Sequence, residues 1–342
     1  WEGRIGAAGP PRAAGRPPLG PPTRRPRGRW TSRVRLLFLL PAVFWVLAFT
    51  IVPLVYSLYT AFHNVTNETL VNRVEVPRLD KDGNVVLKPD GTPRMRTEVV
   101  RETVTKWEFV GLANFARIFR DPVVGEAVKV TAIFVGVGVA VQMTLGLALA
   151  LLFNREMPGR SFLRTLMILP IFATPVAAGY LFFTIFYEEG GPLGWTGIPW
   201  LSSPSWALVS VIIVDVWQWT PFCFLVFLAA LQGIPDELIE AARLDGGAGW
   251  TLIREVILPL MVPTIVIVFL LRLAEAMKVF DIVASLTVGG PGNATQSLSY
   301  LAYRTGLRFF DVGYASAIAY TLLAFVMVVV TLFFKRVRTI YA

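Results

Sequence analysis

The sequence predicts an all-α integral membrane protein, a bundle of six transmembrane helices, from three observations. Of 342 residues, 55% are hydrophobic and only 16% are charged, whereas soluble domains carry about 25% charged residues. Six apolar runs are each long enough for the ~20 helical residues that cross a bilayer. The formal net charge is +9, but the basic residues flank the apolar runs and form no nucleic-acid-reading module, which excludes nucleic acid as an expected partner.

The six apolar runs account for the six predicted helices in order. Buried helices of a soluble protein are the alternative, but a soluble chain would not repeat runs of this length six times. The runs cover residues 36–59, 128–153, 163–187, 206–231, 258–283 and 312–334.

The flanks of these runs predict the orientation. Nine arginines fall within residues 1–35, and basic residues also follow the second and sixth runs. Positive flanks stay in the cytoplasm, so both termini are expected there. Residues 1–35 are rich in Pro, Gly and Arg and are predicted to be a disordered basic cytoplasmic segment. Residues 36–342 then form the membrane domain.

The longest predicted non-membrane segment, residues 60–127, falls on the extracytoplasmic side. Within 73–109, the pairs Asp82-Gly83 and Asp90-Gly91 separate short β-prone runs. Asp-Gly between such runs is a hairpin signal, so we expect a small β-hairpin insertion. The apolar spacing of residues 111–119 predicts a short helix after it.

The loop at residues 232–259 is more structured than a plain connector. Pro235, Asp236 and Glu237 predict a helix start, because Pro fixes φ and the carboxylates lie near the positive end of the helix dipole. Gly246 and Gly247 allow the chain to stop and turn, and a second short amphipathic helix is expected over 249–257. By pattern alone, the loop either docks a partner protein or rests on the bilayer surface.

The residues of this loop resemble the EAA loop of ABC-importer permeases. Glu240-Ala241-Ala242, Gly246 and Leu258-Pro259 match that motif in type and spacing, with Val256 where Ile is usual. In that family the loop docks into a separate ATPase subunit, so the resemblance implies a contact that Glu240 makes with a basic group. The implied ATPase-coupling residues are Glu240, Ala241, Ala242, Asp245, Gly246 and Trp250.

A second set of residues resembles carbohydrate-importer permeases of the maltose-transporter type, over about residues 36–335. The match is carried by Arg160, Leu169-Pro170, Pro175, Pro221, Phe280-Asp281, Leu286-Thr287, Gly289-Gly290-Pro291, Thr295, Tyr303 and Gly313. It implies a type I importer permease fold in a bacterial or archaeal inner membrane and transport of a sugar by alternating access. The implied partners are a second permease, two ATPase subunits that bind ATP and Mg, and an extracytoplasmic solute-binding protein.

Polar residues in the fourth run predict where the solute passes, because such groups usually face a bundle interior or cavity. Asp215, Gln218, Trp219 and Phe222 share one helical face, and aromatic rings beside acceptors suit a hydroxyl-rich solute. In the resembled family, positions matching these four residues and Glu275, Ala276 and Val279 lie at or near the substrate site. The alternatives are that the aromatic residues only pack, and that Glu275 pairs with Arg272 or Lys278.

The residues missing from the sequence set further expectations. The sequence has no Gly-x-x-x-x-Gly-Lys-Ser/Thr phosphate loop, one histidine (His63) and one cysteine (Cys223). We therefore expect no ATP hydrolysis, metal site or cofactor in this chain. The same machinery could instead import glycerol-3-phosphate, although that cargo needs cations, which the predicted solute face lacks apart from nearby Arg272 and Lys278. An ion-driven secondary transporter is the more distant alternative.

Overall fold

A computed structural model describes residues 30–78, 85–86 and 88–341. Within these residues the chain is built from α-helices, short π- and 3-10-helical segments, and one pair of strands. The helices are α1 (Trp30–Val46), α2 (Val52–Ala61), α3 (Ala113–Ile118), α4 (Pro122–Phe153), α5 (Arg160–Ile168), α6 (Pro175–Phe186), α7 (Pro204–Gln232), α8 (Asp236–Leu244), α9 (Trp250–Leu252), α10 (Leu258–Ala276), α11 (Leu298–Tyr303) and α12 (Val312–Tyr341). The strands are β1 (His63–Pro77) and β2 (Met95–Phe109).

Five continuous helices among the described residues are long and apolar enough to cross a membrane. They are Leu37–Ala61, Pro122–Phe153, Pro204–Gln232, Trp250–Ala276 and Val312–Lys335. The chain divides into two compact units at Leu54, so the first helix belongs mostly to a unit of its own. Most of the segment predicted to be disordered, residues 1–29, lies outside the described residues, but residues 30–35 belong to α1.

The third predicted span is bent. The segment Arg160–Phe172 meets α6 at 102°, whereas a single helix was expected over 163–187. The break falls at Thr174 because the ring of Pro175 disfavours a helical residue before it. The Thr174 side chain then accepts a hydrogen bond from the Ala177 backbone N–H and caps α6. Counted as one span, this bent pair brings the candidate spans among the described residues to six.

The fifth span begins earlier and ends earlier than expected. It runs without interruption from Trp250 to Ala276, and residues 253–257 form a π-helical segment within it. The second short helix predicted at 249–257 is therefore the start of the span, and the predicted end at 283 is wrong. A separate π-helical segment, Val283–Thr287, packs against α6 instead.

The core of the second unit is the contact between α4 and α7, the most extensive helix pair in the structure. Small residues allow the close approach that membrane helices use in place of a hydrophobic driving force. A Cβ atom at Gly146 would lie 2.5 Å from the Cβ atom of Cys223. Cys223 is a buried free cysteine at this contact. The helix α10 packs on both α4 and α7.

The insertion after α2 is a long antiparallel hairpin. The register runs from His63 opposite Phe109 to Pro77 opposite Met95, so the strands begin well before the segment that suggested them. Asp90-Gly91 forms a turn within the tip, whereas Asp82-Gly83 lies outside the described residues. At the base, the Asn114 side-chain amide donates to the Ala61 and His63 carbonyls at 3.0 and 3.1 Å.

Candidate functional site

Three buried polar side chains from three helices form a connected cluster, called here the polar floor. Gln142 of α4 donates from Nε2 to Asp215 Oδ2 of α7 at 2.6 Å and to the Asp215 carbonyl at 3.2 Å. Arg272 of α10 donates from Nε to Gln142 Oε1 at 2.9 Å and from Nη2 to Asp215 Oδ2 at 3.3 Å. All three residues are at most 3% exposed, so the floor fixes three membrane helices against one another.

A cleft of about 80 Å³ borders this floor, since Asp215 and Arg272 line both. The guanidinium carbon of Arg272 lies 4.4 Å from the centre of the Trp219 ring, in cation–π geometry. The cleft therefore joins an aromatic ring and polar groups in one place. It is lined by Pro175, Asp215, Trp219, Arg272, Glu275, Ala276, Lys278, Val279, Phe280, Asp281 and Ile282.

Most of the residues proposed for the solute path lie together at this cleft. Asp215, Trp219, Glu275, Ala276 and Val279 line it. The other two are placed beside it. The Gln218 side-chain amide donates to the Ala173 carbonyl at 2.7 Å, at the break before α6, and Phe222 contacts the Trp219 ring edge to face.

The structure decides between the two ion pairs considered for Glu275. Its carboxylate lies 3.3 Å from Lys278 Nζ, with both side chains more than half exposed. Arg272 instead pairs with Asp215 inside the protein. An exposed pair three residues apart contributes little to stability, whereas the buried pair cannot lose one partner without a large cost.

Sequence reasoning missed Gln142 and treated Arg272 as a neighbour of the site. Both are polar residues inside long apolar runs, which by itself marks a position that faces a bundle interior. Their mutual contact could not be read from the sequence, since it depends on the relative rotation of α4, α7 and α10.

The charges at the cleft nearly cancel. Two cations, Arg272 and Lys278, face three anions, Asp215, Glu275 and Asp281, which gives a formal charge of 2 − 3 = −1 for the lining of this chain. A lining of this kind does not concentrate anions, because the potential in a cleft follows the sum of its charges. These two cations are the ones noted beside the predicted solute face, and each is already paired with a carboxylate of this chain.

A larger groove of about 600 Å³ lies between α4, α5 and α7. It is bounded mainly by apolar side chains, among them Leu145, Leu166, Trp217 and Phe224. Few polar groups are available there to orient a polar solute. The smaller, polar cleft is therefore the better candidate for a solute site.

The loop between α7 and the fifth span presents its proposed coupling residues to the outside of the chain. The helix α8 packs Ile239 and Ala242 against the core, and Gly246 has a left-handed φ of 86° that ends the helix. Trp250 is 68% exposed. Glu240, Ala241, Asp245 and Gly246 are exposed as well, and Ala242 is half-buried.

The comparison with protein families identifies the class of protein. Residues 142–340 match the family described as "Binding-protein-dependent transport system inner membrane component". A probable ABC transporter permease protein of Sinorhizobium fredii, y4oQ, is 36% identical over 91% of this chain and 92% of its own length. The chain therefore belongs to this family of inner-membrane transport components and is a multi-pass membrane protein.

Two further matches are a second relative and a solved structure. The trehalose/maltose transport system permease protein MalF of Thermococcus litoralis is 35% identical over 64% of this chain and 76% of its own length. A chain from the crystal structure of a bacterial ABC transporter for alginate superimposes with a TM-score of 0.71. That match has 24% identity and covers 92% of this chain and 99% of the other, which establishes the ABC-importer permease fold.

Proposed function

We propose that this chain is the permease subunit of an ATP-driven importer and forms half of a membrane pathway for a neutral carbohydrate. The observation that carries the proposal is the cleft, where the half-buried Trp219 ring stands beside a polar floor whose charges are compensated. A sugar presents an apolar ring face and several hydroxyls, and a few well-placed polar groups beside an aromatic surface suit such a solute. The similarity to a permease named for trehalose and maltose supports the same cargo class.

Glycerol-3-phosphate is the second candidate cargo, because Arg272 and Lys278 line the cleft. Both cations already have carboxylate partners, Asp215 and Glu275. Binding a phosphate would add negative charge to a lining that is already at −1 and would require one of these pairs to open. The lining therefore favours a neutral cargo.

We further propose that α8 and the residues that follow it dock onto a separate ATPase, which binds ATP and Mg. The exposed edge of this loop combines Leu238, Leu244 and Trp250 with the carboxylate of Glu240. Exposed apolar residues of this size beside a carboxylate suit a protein partner with an apolar groove and a basic group. The remaining partners of the proposal are a second permease and an extracytoplasmic solute-binding protein.

The proposed orientation follows the basic flanks, with both termini and α8 in the cytoplasm. The β1–β2 hairpin then projects on the opposite side. Solute passes by alternating access: ATP binding closes the ATPase pair, the helices open outward to accept solute, and hydrolysis returns them to the inward state.

The test is the ATPase activity of the purified complex, reconstituted with its binding protein. Trehalose, maltose and glycerol-3-phosphate are added in turn, and hydrolysis is compared with a solute-free control. The proposal expects stimulation by a neutral sugar and none by glycerol-3-phosphate. Stimulation by glycerol-3-phosphate alone would mean that the cargo is glycerol-3-phosphate and not a neutral sugar. Failure of any ATPase to co-purify would favour an ion-driven transporter.

A further inference from the structure

The guanidinium of Arg272 is held on two of its three nitrogens. Nε donates to Gln142 and Nη2 to Asp215, while the guanidinium carbon lies 4.4 Å from the centre of the Trp219 ring. Because a guanidinium is a rigid planar fork, fixing two nitrogens also fixes the direction of the third. The position of Nη1 is thus set by the polar floor before any solute arrives.

Nη1 itself is buried and has no hydrogen-bond partner among the described residues. Buried N–H groups are nearly always paired in folded proteins, and one that is not calls for an explanation. Arg272 also lines the cleft, so an acceptor that enters the cleft can supply the missing partner.

The chemistry of that acceptor follows from the charges. Asp215 already neutralises Arg272, and the lining as a whole carries −1. A neutral oxygen, such as a hydroxyl or an ether oxygen, satisfies the N–H without adding a further anion. An anionic group would have to compete with Asp215 for the guanidinium.

From this geometry we infer that Arg272 is a specificity-determining residue of the cleft. Its Nη1 donates a hydrogen bond to one oxygen of a neutral carbohydrate, and Asp215 and Gln142 are positioning residues that hold it in place. The inference rests on the proposed function. Arg272 is 1% exposed, so the contact forms when the cleft widens around the solute during transport.

The test combines Arg272→Lys with sugars that lack single hydroxyls. Lysine can keep the ion pair to Asp215, but its side chain has a single nitrogen and so has no second nitrogen to donate to the solute. Uptake into proteoliposomes is measured at saturating binding protein with trehalose, maltose and the monodeoxy derivatives of whichever is transported. Wild type and variant are assayed with the same binding protein. The preference of that binding protein for each sugar therefore cancels when the uptake of the variant is divided by the uptake of wild type.

Arg304→Lys is the matched control. Arg304 also has a buried nitrogen that finds no partner in the described part of the chain, but it bonds to Asn293 and does not line the cleft. Gln142→Leu is the second variant, since it releases Nε while leaving Arg272 and its ion pair. It keeps the test decisive should Arg272→Lys fail to assemble.

For wild type, we expect the removal of one particular hydroxyl to lower uptake about ten-fold, the usual effect of losing a hydrogen bond to a charged group. Arg272→Lys lowers uptake of the parent sugar by a similar factor and shows no further loss with that deoxy sugar, because the two changes remove the same contact. Gln142→Leu reduces discrimination at the same hydroxyl, and Arg304→Lys behaves as wild type.

Two results would overturn the inference, and they are distinguishable. If wild type transports a sugar but Arg272→Lys lowers the uptake of every deoxy derivative by the same factor relative to wild type, Arg272 has only a structural role. If wild type transports neither sugar, the proposed cargo fails first and the inference falls with it.

Discussion

The polar floor of the cleft and the helix α8 use charged residues in opposite ways. In the floor, Asp215 and Arg272 are buried and pair with each other across two helices. On α8, Glu240 is exposed and has no ion-pair partner within the part of the chain that the structure describes.

This difference separates charges that hold the chain together from charges that are available to another molecule. A buried ion pair gains little over an apolar core but is costly to break. An exposed carboxylate costs nothing to leave unpaired in water, and it can bind a partner without first losing a contact. Substitutions in the floor should therefore change stability, and substitutions on α8 should change only assembly and coupling.

The largest expected effect is that of Asp215→Ala. It leaves the Arg272 charge buried without a counterion, which costs roughly 3–5 kcal/mol. We expect a marked loss of assembled complex and a lower unfolding temperature in detergent, measured by size-exclusion chromatography and differential scanning fluorimetry.

The double variant Asp215→Ala with Arg272→Met is the control for this prediction. It removes both charges, so much of the lost stability should return, although solute specificity should not. A single variant as stable as wild type would mean that the floor is not a buried ion pair.

A smaller effect is expected where the same helices pack without charge. Gly146→Val places a side chain against Cys223, because a Cβ atom added at Gly146 would lie only 2.5 Å from the Cβ atom of Cys223. Overpacking of this kind costs about 1–3 kcal/mol. Gly136→Val on the same helix is the matched control, because apart from its own helix backbone and chain neighbours no described residue has an atom within 4 Å of a Cβ placed there. Equal unfolding temperatures for the two variants would contradict the observed α4–α7 contact.

The smallest effect concerns Glu188, in the loop between α6 and α7. Its carboxylate accepts the backbone N–H groups of Leu201 and Ser202, both at 2.8 Å, and these bonds lower its pKa. The stability that these two hydrogen bonds contribute is therefore fully present above the ordinary glutamate pKa. It is lost as the pH falls through the lowered pKa of Glu188. Amide hydrogen exchange at Leu201 and Ser202 should accelerate on acidification, whereas Glu188→Gln should show no such pH dependence.

The sequence was sufficient for features that depend on local pattern. Apolar length located five continuous spans, and Asp90-Gly91 marked the hairpin. Hydropathy could not show the 102° bend, because it measures composition and not direction. Thr174 before Pro175 was the available signal, since both residue types favour a helix boundary at that point.

The cleft was only partly predictable. One-face spacing on the fourth run singled out Asp215 and Trp219, which both line the cleft, whereas the Gln218 side chain donates to the carbonyl of Ala173. Gln142 and Arg272 are far apart in sequence, and only the packing of α4 on α7 and α10 brings them together. A pairing of this kind is decided by tertiary contacts that no local pattern contains.

The most direct test of the account compares Glu240→Ala with Glu255→Ala in the reconstituted complex. Both side chains are exposed, but Glu255 only pairs with its neighbour Arg254, an interaction worth little. We predict that Glu240→Ala abolishes most sugar-stimulated ATP hydrolysis at an unchanged unfolding temperature of the isolated permease, and that Glu255→Ala retains it. Full stimulated hydrolysis in Glu240→Ala would contradict the assignment of α8 as the ATPase contact.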